Sequence, residues 1–247
     1  MQWIAQRSDR SRRRILVLTR IRIVASAAST NDSLIGEAGA VEGDWLVALD
    51  QLRGKGRQGR EWTSVPGNFA GSTLVQLRSG DPPAQSLSMV ASLALAEAVD
   101  AAVPNQPLLL KWPNDLLLNG AKLAGILLER RGDKVVIGIG VNLAAAPVLE
   151  GRRAAHLGAR VTPAAFAPIL ASAMARMIEL WRSASPMLFA NAWLARAHVV
   201  GTALKVHGGD GVIVEGRFHG IDNDGALQLR LPDGALHTVL AGDVSLD

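Results

Sequence analysis

Residues 108–142 read LLLKWPNDLLLNGAKLAGILLERRGDKVVIGIGVN, and this stretch decides the architecture. Apolar segments at Leu108 to Trp112, Leu116 to Leu118, Lys122 to Arg130 and Lys134 to Asn142 are too short and too often interrupted for helices. Asn119-Gly120 is a dipeptide that closes tight hairpins because both residues tolerate positive φ, and Gly132-Asp133 offers a second turn. The segment predicts successive strands of one sheet.

Upstream, Gln85 to Ala102 has apolar residues at helical spacing and predicts a helix that ends at Pro104 and Pro107. Strands are expected from Ile15 to Ala25, Trp45 to Asp50 and Phe69 to Arg78, the last broken by Asp81-Pro82-Pro83. Ser29-Thr30-Asn31-Asp32 carries N-cap chemistry for a short helix ending near Gly36 and Gly39. Downstream, helices are expected over 163–182 and 186–198, with Pro163, Pro168 and Pro186 near their starts. Beyond Gly201, Ala203 to His207, Val212 to His219, Ala226 to Leu231 and Leu236 to Leu240 read as short strands between Gly/Asp/Asn turns. The expected fold is α+β: a basic tail over 1–20, a mixed-sheet main domain over 21–199, and a small barrel-like β module over 200–247.

Composition narrows the function. Of 247 residues, 49% are apolar and 19% charged, enough to bury a core and far from the disordered regime. The chain has no cysteine, which excludes disulfide frameworks, thiolate metal sites and cysteine nucleophiles, and fits a cytoplasmic location. Charged residues interrupt the apolar runs, so no membrane span is expected. The net charge is +4, yet residues 1–22 alone carry seven arginines and one aspartate, leaving the other 225 residues at −2. The high pI therefore belongs to a tail, read as a solvated basic segment or an arginine-rich targeting segment, and no specific DNA binding is expected.

Two constellations carry chemistry. Gly54-Lys55-Gly56-Arg57-Gln58-Gly59 matches G-x-G-x-x-G after a strand, but Arg60 to Gly67 contains Pro66 and lacks a helical period, so it is no dinucleotide fingerprint. Glycines that let backbone N–H groups approach an anion, with Lys55, Arg57 and Arg60 around them, suit a phosphate cradle; a mobile basic surface loop is the plainer alternative. Lys111-Trp112-Pro113-Asn114-Asp115 precedes Lys122 by one hairpin, which brings lysines and a carboxylate to one sheet end; otherwise Lys122 simply opens an exposed strand. The five histidines have no metal-ligand spacing, and no metal site is expected from them.

Taken in order, Ser29-Thr30-Asn31, Gln51, Gly54 through Trp62, Lys111 through Asp115, Lys122-Leu123-Ala124-Gly125 and Gly138-Ile139-Gly140-Val141-Asn142 resemble the motifs of biotin protein ligases, and the C-terminal module resembles their SH3-like domain. The resemblance implies a class II synthetase-like catalytic fold and a two-step reaction. Biotin and Mg-ATP give biotinyl-5′-AMP, and a lysine of a carboxylase's biotin carboxyl carrier domain then displaces AMP. By resemblance Lys122, Arg57 and Asp115 are catalytic, Asp115 orienting Lys122 or helping to hold Mg²⁺. Ser29, Thr30, Asn31, Gln51, Lys55, Gly56, Arg57, Lys122 and Gly125 would bind biotin; Arg57, Arg60, Trp62, Lys111 and Asn142 would bind the nucleotide.

Lys55 stands where the family usually has arginine, exchanging a bidentate grip for a point charge, and altered biotin affinity is expected. The segment before the catalytic domain is too short for the three helices of a repressor domain, so a monofunctional ligase is expected, with homodimerisation left open. A lipoate- or octanoate-protein ligase is the nearest alternative, and a nucleic-acid-binding regulator a more distant one. Residues 51–68 and 112–122 are expected to order when ligands bind.

Overall fold

The computed structural model describes residues 20–148, 153–208 and 211–246. The arginine-rich tail, and with it the first part of the strand expected from Ile15, lies outside the described residues. The chain runs through β1 (Ile21–Ala27), α1 (Thr30–Gly36) and β2 (Trp45–Gln51). The two-residue strands β3 (Gly54–Lys55) and β4 (Glu61–Trp62) flank a 3-10 turn, and β5 (Phe69–Gln76) follows. Next come α2 (Leu87–Ala102), β6 (Leu108–Lys111), β7 (Asp115–Leu118), β8 (Ala121–Arg131) and β9 (Lys134–Val141). Helices α3 (Pro163–Ser183) and α4 (Pro186–Leu194) lead to β10 (Ala203–His207), β11 (Ile213–Ile221), β12 (Leu227–Arg230), β13 (Leu236–Val239) and β14 (Asp243–Leu246).

Seven strands form one mixed sheet in the order β1-β2-β5-β9-β8-β7-β6, in which only β1 and β2 run parallel. The expected hairpins are present, with Asn119 and Gly120 both at positive φ. Lys111 and Lys122, however, lie two strands apart because β7 intervenes. Residues 112–122 form a turn, strand β7 and the hairpin at Asn119-Gly120. Helix α4 stops at Leu194, short of 198, since the chain then runs beside β6, where Leu110 N–H donates to the Arg196 carbonyl at 2.7 Å. Pro163 and Pro186 occupy helix starts, whereas Pro168 sits inside α3 and removes a backbone donor there.

Strand alternation divides the sheet into two faces. In β9, Val135, Ile137, Ile139 and Val141 join the core formed by α2, α3 and α4, with Phe69 edge-on to Phe166 at 5.4 Å. Val136 points the other way and packs with Leu34, Leu46 and Leu74 under α1. Helix α3 is long and apolar enough to cross a bilayer by length and composition, but half of that stretch is buried in this fold, as in a core helix.

The C-terminal strands form a second sheet, β13-β12-β11-β10-β14, whose fifth strand, β14, the sequence reading missed. Leu204, Phe218 and Leu227 share the main core, and Trp193 of α4 meets Phe218 edge-on at 6.5 Å. The Trp112 indole N–H donates to the Gly225 carbonyl at 2.9 Å, so a hairpin turn of the β module is tied to the turn before β7.

Arg182 closes the end of α3 onto the sheet. Its guanidinium donates to both carboxylate oxygens of Glu42 at 2.7 Å, to Asp81 at 3.1 Å and to the Gln76 carbonyl at 2.9 Å. Burial pushes the Glu42 carboxyl up, but hydrogen bonds and charge from Arg182, with the Gln76 N–H and Arg78, more than offset this and hold it below its ordinary value. A lowered carboxyl stabilises the fold above its unfolded pKa and loses that contribution as pH falls through its folded value. Arg182→Ala is expected to cost about 2 kcal/mol at pH 7 by removing the guanidinium that Glu42 and Asp81 share, with Arg78 still paired to Glu42. The gap to the parent should narrow below about pH 4 as Glu42 protonates. Urea unfolding at both pH values checks this, and an Arg182→Ala variant as stable as the parent at pH 7 refutes it.

Candidate active site

On the α1 face, β9 continues from Val136 with Gly138 and Gly140, and β8 pairs Leu127 with Gly138 and Gly125 with Gly140. Three glycines therefore leave a strip of bare backbone, and a cavity of about 720 Å³ opens above it. Neighbours occupy the space that side chains would fill: a Cβ on Gly138 would lie 2.3 Å from the Asn31 amide oxygen, and one on Gly140 would lie 2.3 Å from the Trp62 ring. The indole sits over this floor, with Lys122 Nζ 6.0 Å from its centroid.

Lys122 reaches the floor through a β-bulge. β8 pairs Ala124 with Leu116 but Lys122 with Leu117, so Leu123 is an extra residue. Strict alternation from Gly125 would aim Leu123 at the cavity and Lys122 into the core; the bulge reverses them. Leu123 is wholly buried, and a Cβ on Gly125 would lie 3.2 Å from Lys122 Nζ. The ammonium pairs with Asp115 on the neighbouring strand β7 at 2.6 Å. The Lys122 backbone is gripped as well: its N–H donates to the Arg153 carbonyl and its carbonyl accepts from Ala155 N–H, each at 2.9 Å.

Asn142 belongs to this brace. Its amide accepts from Asn68 Nδ2 at 3.3 Å and donates to the carbonyls of Lys122 at 3.4 Å and Ala155 at 3.0 Å. It lines the cavity but is 2% exposed with its polar atoms engaged, so it holds Lys122 in place rather than presenting a free group to adenine. The other residues of the Lys111-to-Asp115 turn divide between cavity and scaffold. Lys111 and Trp112 line the cavity, and Asn114 clips β8 through Nδ2 to the Ile126 carbonyl at 2.6 Å.

At the α1 end, Ser29 acts as the expected N-cap, accepting from Asp32 N–H at 3.3 Å. Thr30 donates to Gln51 Oε1 from its N–H at 2.9 Å and its hydroxyl at 3.0 Å, which leaves the Gln51 amide nitrogen for another partner. The Asn31 amide is held by Ser72 and Glu129.

The basic loop is a β3–β4 hairpin, and this changes two expectations. Gly56 N–H donates to the Arg60 carbonyl at 2.7 Å, so it closes the hairpin instead of cradling an anion. Lys55 is half exposed and pairs with Asp32 at 2.7 Å, which raises its pKa through that hydrogen bond. Arg57 and Arg60 do face the cavity. Arg57 donates to the Gly242 carbonyl at 3.1 Å and lies 3.5 Å from Asp243, and Arg60 pairs with the same carboxylate. Burial pushes the Arg57 guanidinium down, as does Arg60, with Asp243 and Asp115 opposing.

One cavity therefore gathers Ser29, Thr30, Asn31, Gln51, Lys55, Gly56, Arg57, Arg60, Trp62, Lys111, Asp115, Lys122, Gly125 and Asn142. Sequence reasoning missed Arg153 and Asp243, which also line it, and His207, whose Nε2 is 3.0 Å from Ser245 Oγ at the same rim. No motif marks these three; proximity brought by the C-terminal sheet and the 153–155 segment does. No group of three His, Asp or Glu side chains that could hold a metal ion occurs among the described residues. Chemically, a polar neutral end, a flat floor and a cationic end suit a ligand with a polar ring at one terminus and negative charge at the other.

The profile of the biotin/lipoate A/B protein ligase family matches residues 22–142, and that of the biotin protein ligase C-terminal domain matches 202–247. A biotin–[acetyl-CoA-carboxylase] ligase of Paracoccus denitrificans is 41% identical over 86% of this chain and 95% of its own length. One from Mycobacterium tuberculosis is 36% identical over 90% and 87%. Among solved structures, the biotin protein ligase from Aquifex aeolicus in complex with biotin and ATP superposes with a TM-score of 0.81 at 25% identity, covering 92% of this chain and 98% of that one.

The geometry predicts that Gly140→Ala drives the indole off the floor, because its Cβ needs the space the ring occupies. The Trp62 contribution to tryptophan emission, isolated by subtracting the spectrum of Trp62→Phe in each background, should shift to longer wavelength as the ring becomes wetter. An unchanged contribution would mean that the ring does not rest on Gly140.

Proposed function

This chain belongs to the biotin/lipoate A/B protein ligase family, and from that premise we propose that it activates biotin with ATP as biotinyl-5′-AMP and transfers the biotinyl group to a lysine of a biotin carboxyl carrier domain. The C-terminal domain match and the two curated relatives favour this over a lipoate or octanoate ligase. We assign catalysis to residues 21–199 and the β module to 200–247.

In the first step a biotin carboxylate oxygen attacks the α-phosphorus of ATP, the α–β bridging P–O bond breaks, and pyrophosphate leaves. In the second, the carrier lysine amine attacks the acyl carbon, the C–O bond to AMP breaks, and the amine releases a proton. The obstacle in the first step is repulsion between two anions, which fixed cations relieve without reorganising.

The observation that carries the assignment is Lys122, turned onto the glycine floor by a bulge and held by Asp115 at 2.6 Å. It is assigned to the biotin carboxylate and the attacked phosphate, with Arg57, Arg60 and Lys111 on the phosphates. Ser29, Thr30, Asn31 and Gln51 are assigned to the ureido end, Gly125 to the floor beneath biotin, and Trp62, once displaced, to the adenine. Lys55 anchors the hairpin to α1 through Asp32 and, being the most exposed of these cations, is the weakest member of the clamp. Mg²⁺ would arrive with the nucleotide, bound mainly by phosphates and water; Asp115 is already paired, and no step here depends on a protein-bound metal.

Incubation with labelled biotin, Mg-ATP and an apo carrier domain tests the proposal. Label should reach the carrier lysine, and Lys122→Ala should cut the rate at least about 100-fold. Absence of transfer by the parent would refute the function. Asp243→Asn should raise the ATP KM about fivefold, because Arg57 and Arg60 lose the charge that holds them together, roughly the net value of one ordinary hydrogen bond. An unchanged ATP KM would remove Asp243 from the site.

A further inference from the structure

At the α1 end of the floor, five side chains form a continuous polar row. Gln51 Oε1 is 3.0 Å from Thr30 Oγ1, Thr30 Oγ1 is 2.7 Å from Ser72 Oγ, and Ser72 Oγ is 2.6 Å from Asn31 Oδ1. Asn31 Nδ2 then donates to Glu129 Oε2 at 2.7 Å. Ser72 is completely buried, and Thr30 and Asn31 are 3% and 4% exposed, so the middle of the row is well shielded.

Three oxygen–oxygen contacts share only two hydroxyl protons, one from Thr30 and one from Ser72. The Asn31 amide cannot supply another. An ionised Glu129 only accepts, so it draws the Asn31 nitrogen toward itself and leaves the oxygen facing Ser72; the reverse orientation would set oxygen against carboxylate. Gln51 is fixed likewise, since its oxygen accepts the Thr30 N–H at 2.9 Å. The row is one proton short; with both ends of the Asn31 amide engaged by Ser72 and Glu129, Thr30 and Gln51 are the cavity-lining members that carry the surplus acceptor capacity.

We propose that Glu129 and Ser72, which stand behind the cavity wall, are positioning residues that fix this acceptor polarity, so that the row selects an N–H donor. Resting on the biotin reading above, the donor is a ring N–H of the cyclic urea. Neither residue touches the reacting atoms. Their role is to determine which way the Asn31 amide points and therefore which ligand edge the Thr30–Gln51 end accepts.

Steady-state transfer to an apo carrier, with biotin and with biotin methylated at a ureido nitrogen, tests this. Glu129→Leu should raise the biotin KM about tenfold, the equivalent of one hydrogen bond, while the ATP KM and kcat stay within about twofold. The preference for biotin over the methylated analogue should collapse toward one. Ser72→Ala should behave alike and serves if Glu129→Leu does not fold. Glu129→Gln, whose amide can accept from Asn31 or donate to it, no longer fixes the polarity and should fall between the parent and Glu129→Leu in both biotin KM and analogue preference. An unchanged biotin KM, or kcat and both KM values worsening together with the analogue preference intact, would overturn the positioning role. A parent chain that transfers no biotin would instead refute the biotin reading, and this inference with it.

Discussion

A β-strand must send alternate side chains to opposite faces, and in β9 this constraint is used asymmetrically. Ile137, Ile139 and Val141 fill the face against α2 and α3, while Gly138 and Gly140 leave the other face without side chains. The same strand therefore contributes to the core and to the floor of the cavity. A branched residue at either glycine would collide with Asn31 or Trp62, and a polar one at Ile137 or Ile139 would enter the core unpaired. Every group assigned a chemical role is placed relative to that floor.

Cations that face a shared cavity repel one another, and the fold answers with carboxylates from three separate elements. Asp32 of α1 takes Lys55, Asp115 of β7 takes Lys122, and Asp243 of β14 takes Arg57 and Arg60. The pairs fix side chains that would otherwise sample many rotamers, which is the preorganisation that electrostatic catalysis needs. They also make the C-terminal sheet part of the site, because β14 supplies the charge for two arginines and Trp112 ties the opposite side of the module to the turn that leads into β7.

The hairpins of residues 108–142 were legible because Asn119-Gly120 and the apolar runs are local signals, and so was the Ser29 cap. The set of residues around the cavity was legible through ordered motifs. What escaped was non-local or a matter of register. A one-residue bulge at Leu123 has no signature in an apolar run, yet it determines whether Lys122 faces core or cavity. Asn142 reads as a polar residue after a glycine-rich strand, and only the arrival of Asn68 and Ala155 reveals a brace. Gly56 matches a phosphate-loop pattern, but pairing with Arg60 occupies its N–H. Asp243, Ser72 and Glu129 lie in ordinary strand sequence and acquire roles only from what packs beside them.

The Trp62 ring lying on Gly125 and Gly140 has a consequence for discrimination. A bare apolar strip would welcome any flat molecule of suitable size. With the indole seated there, each visitor competes against a tethered rival of the same shape, and measured affinity is intrinsic affinity reduced by the fraction of time the ring is away. Weak, non-specific guests are thereby filtered out, while a ligand gripped at both ends still wins. The threshold is set by one side chain on a short hairpin.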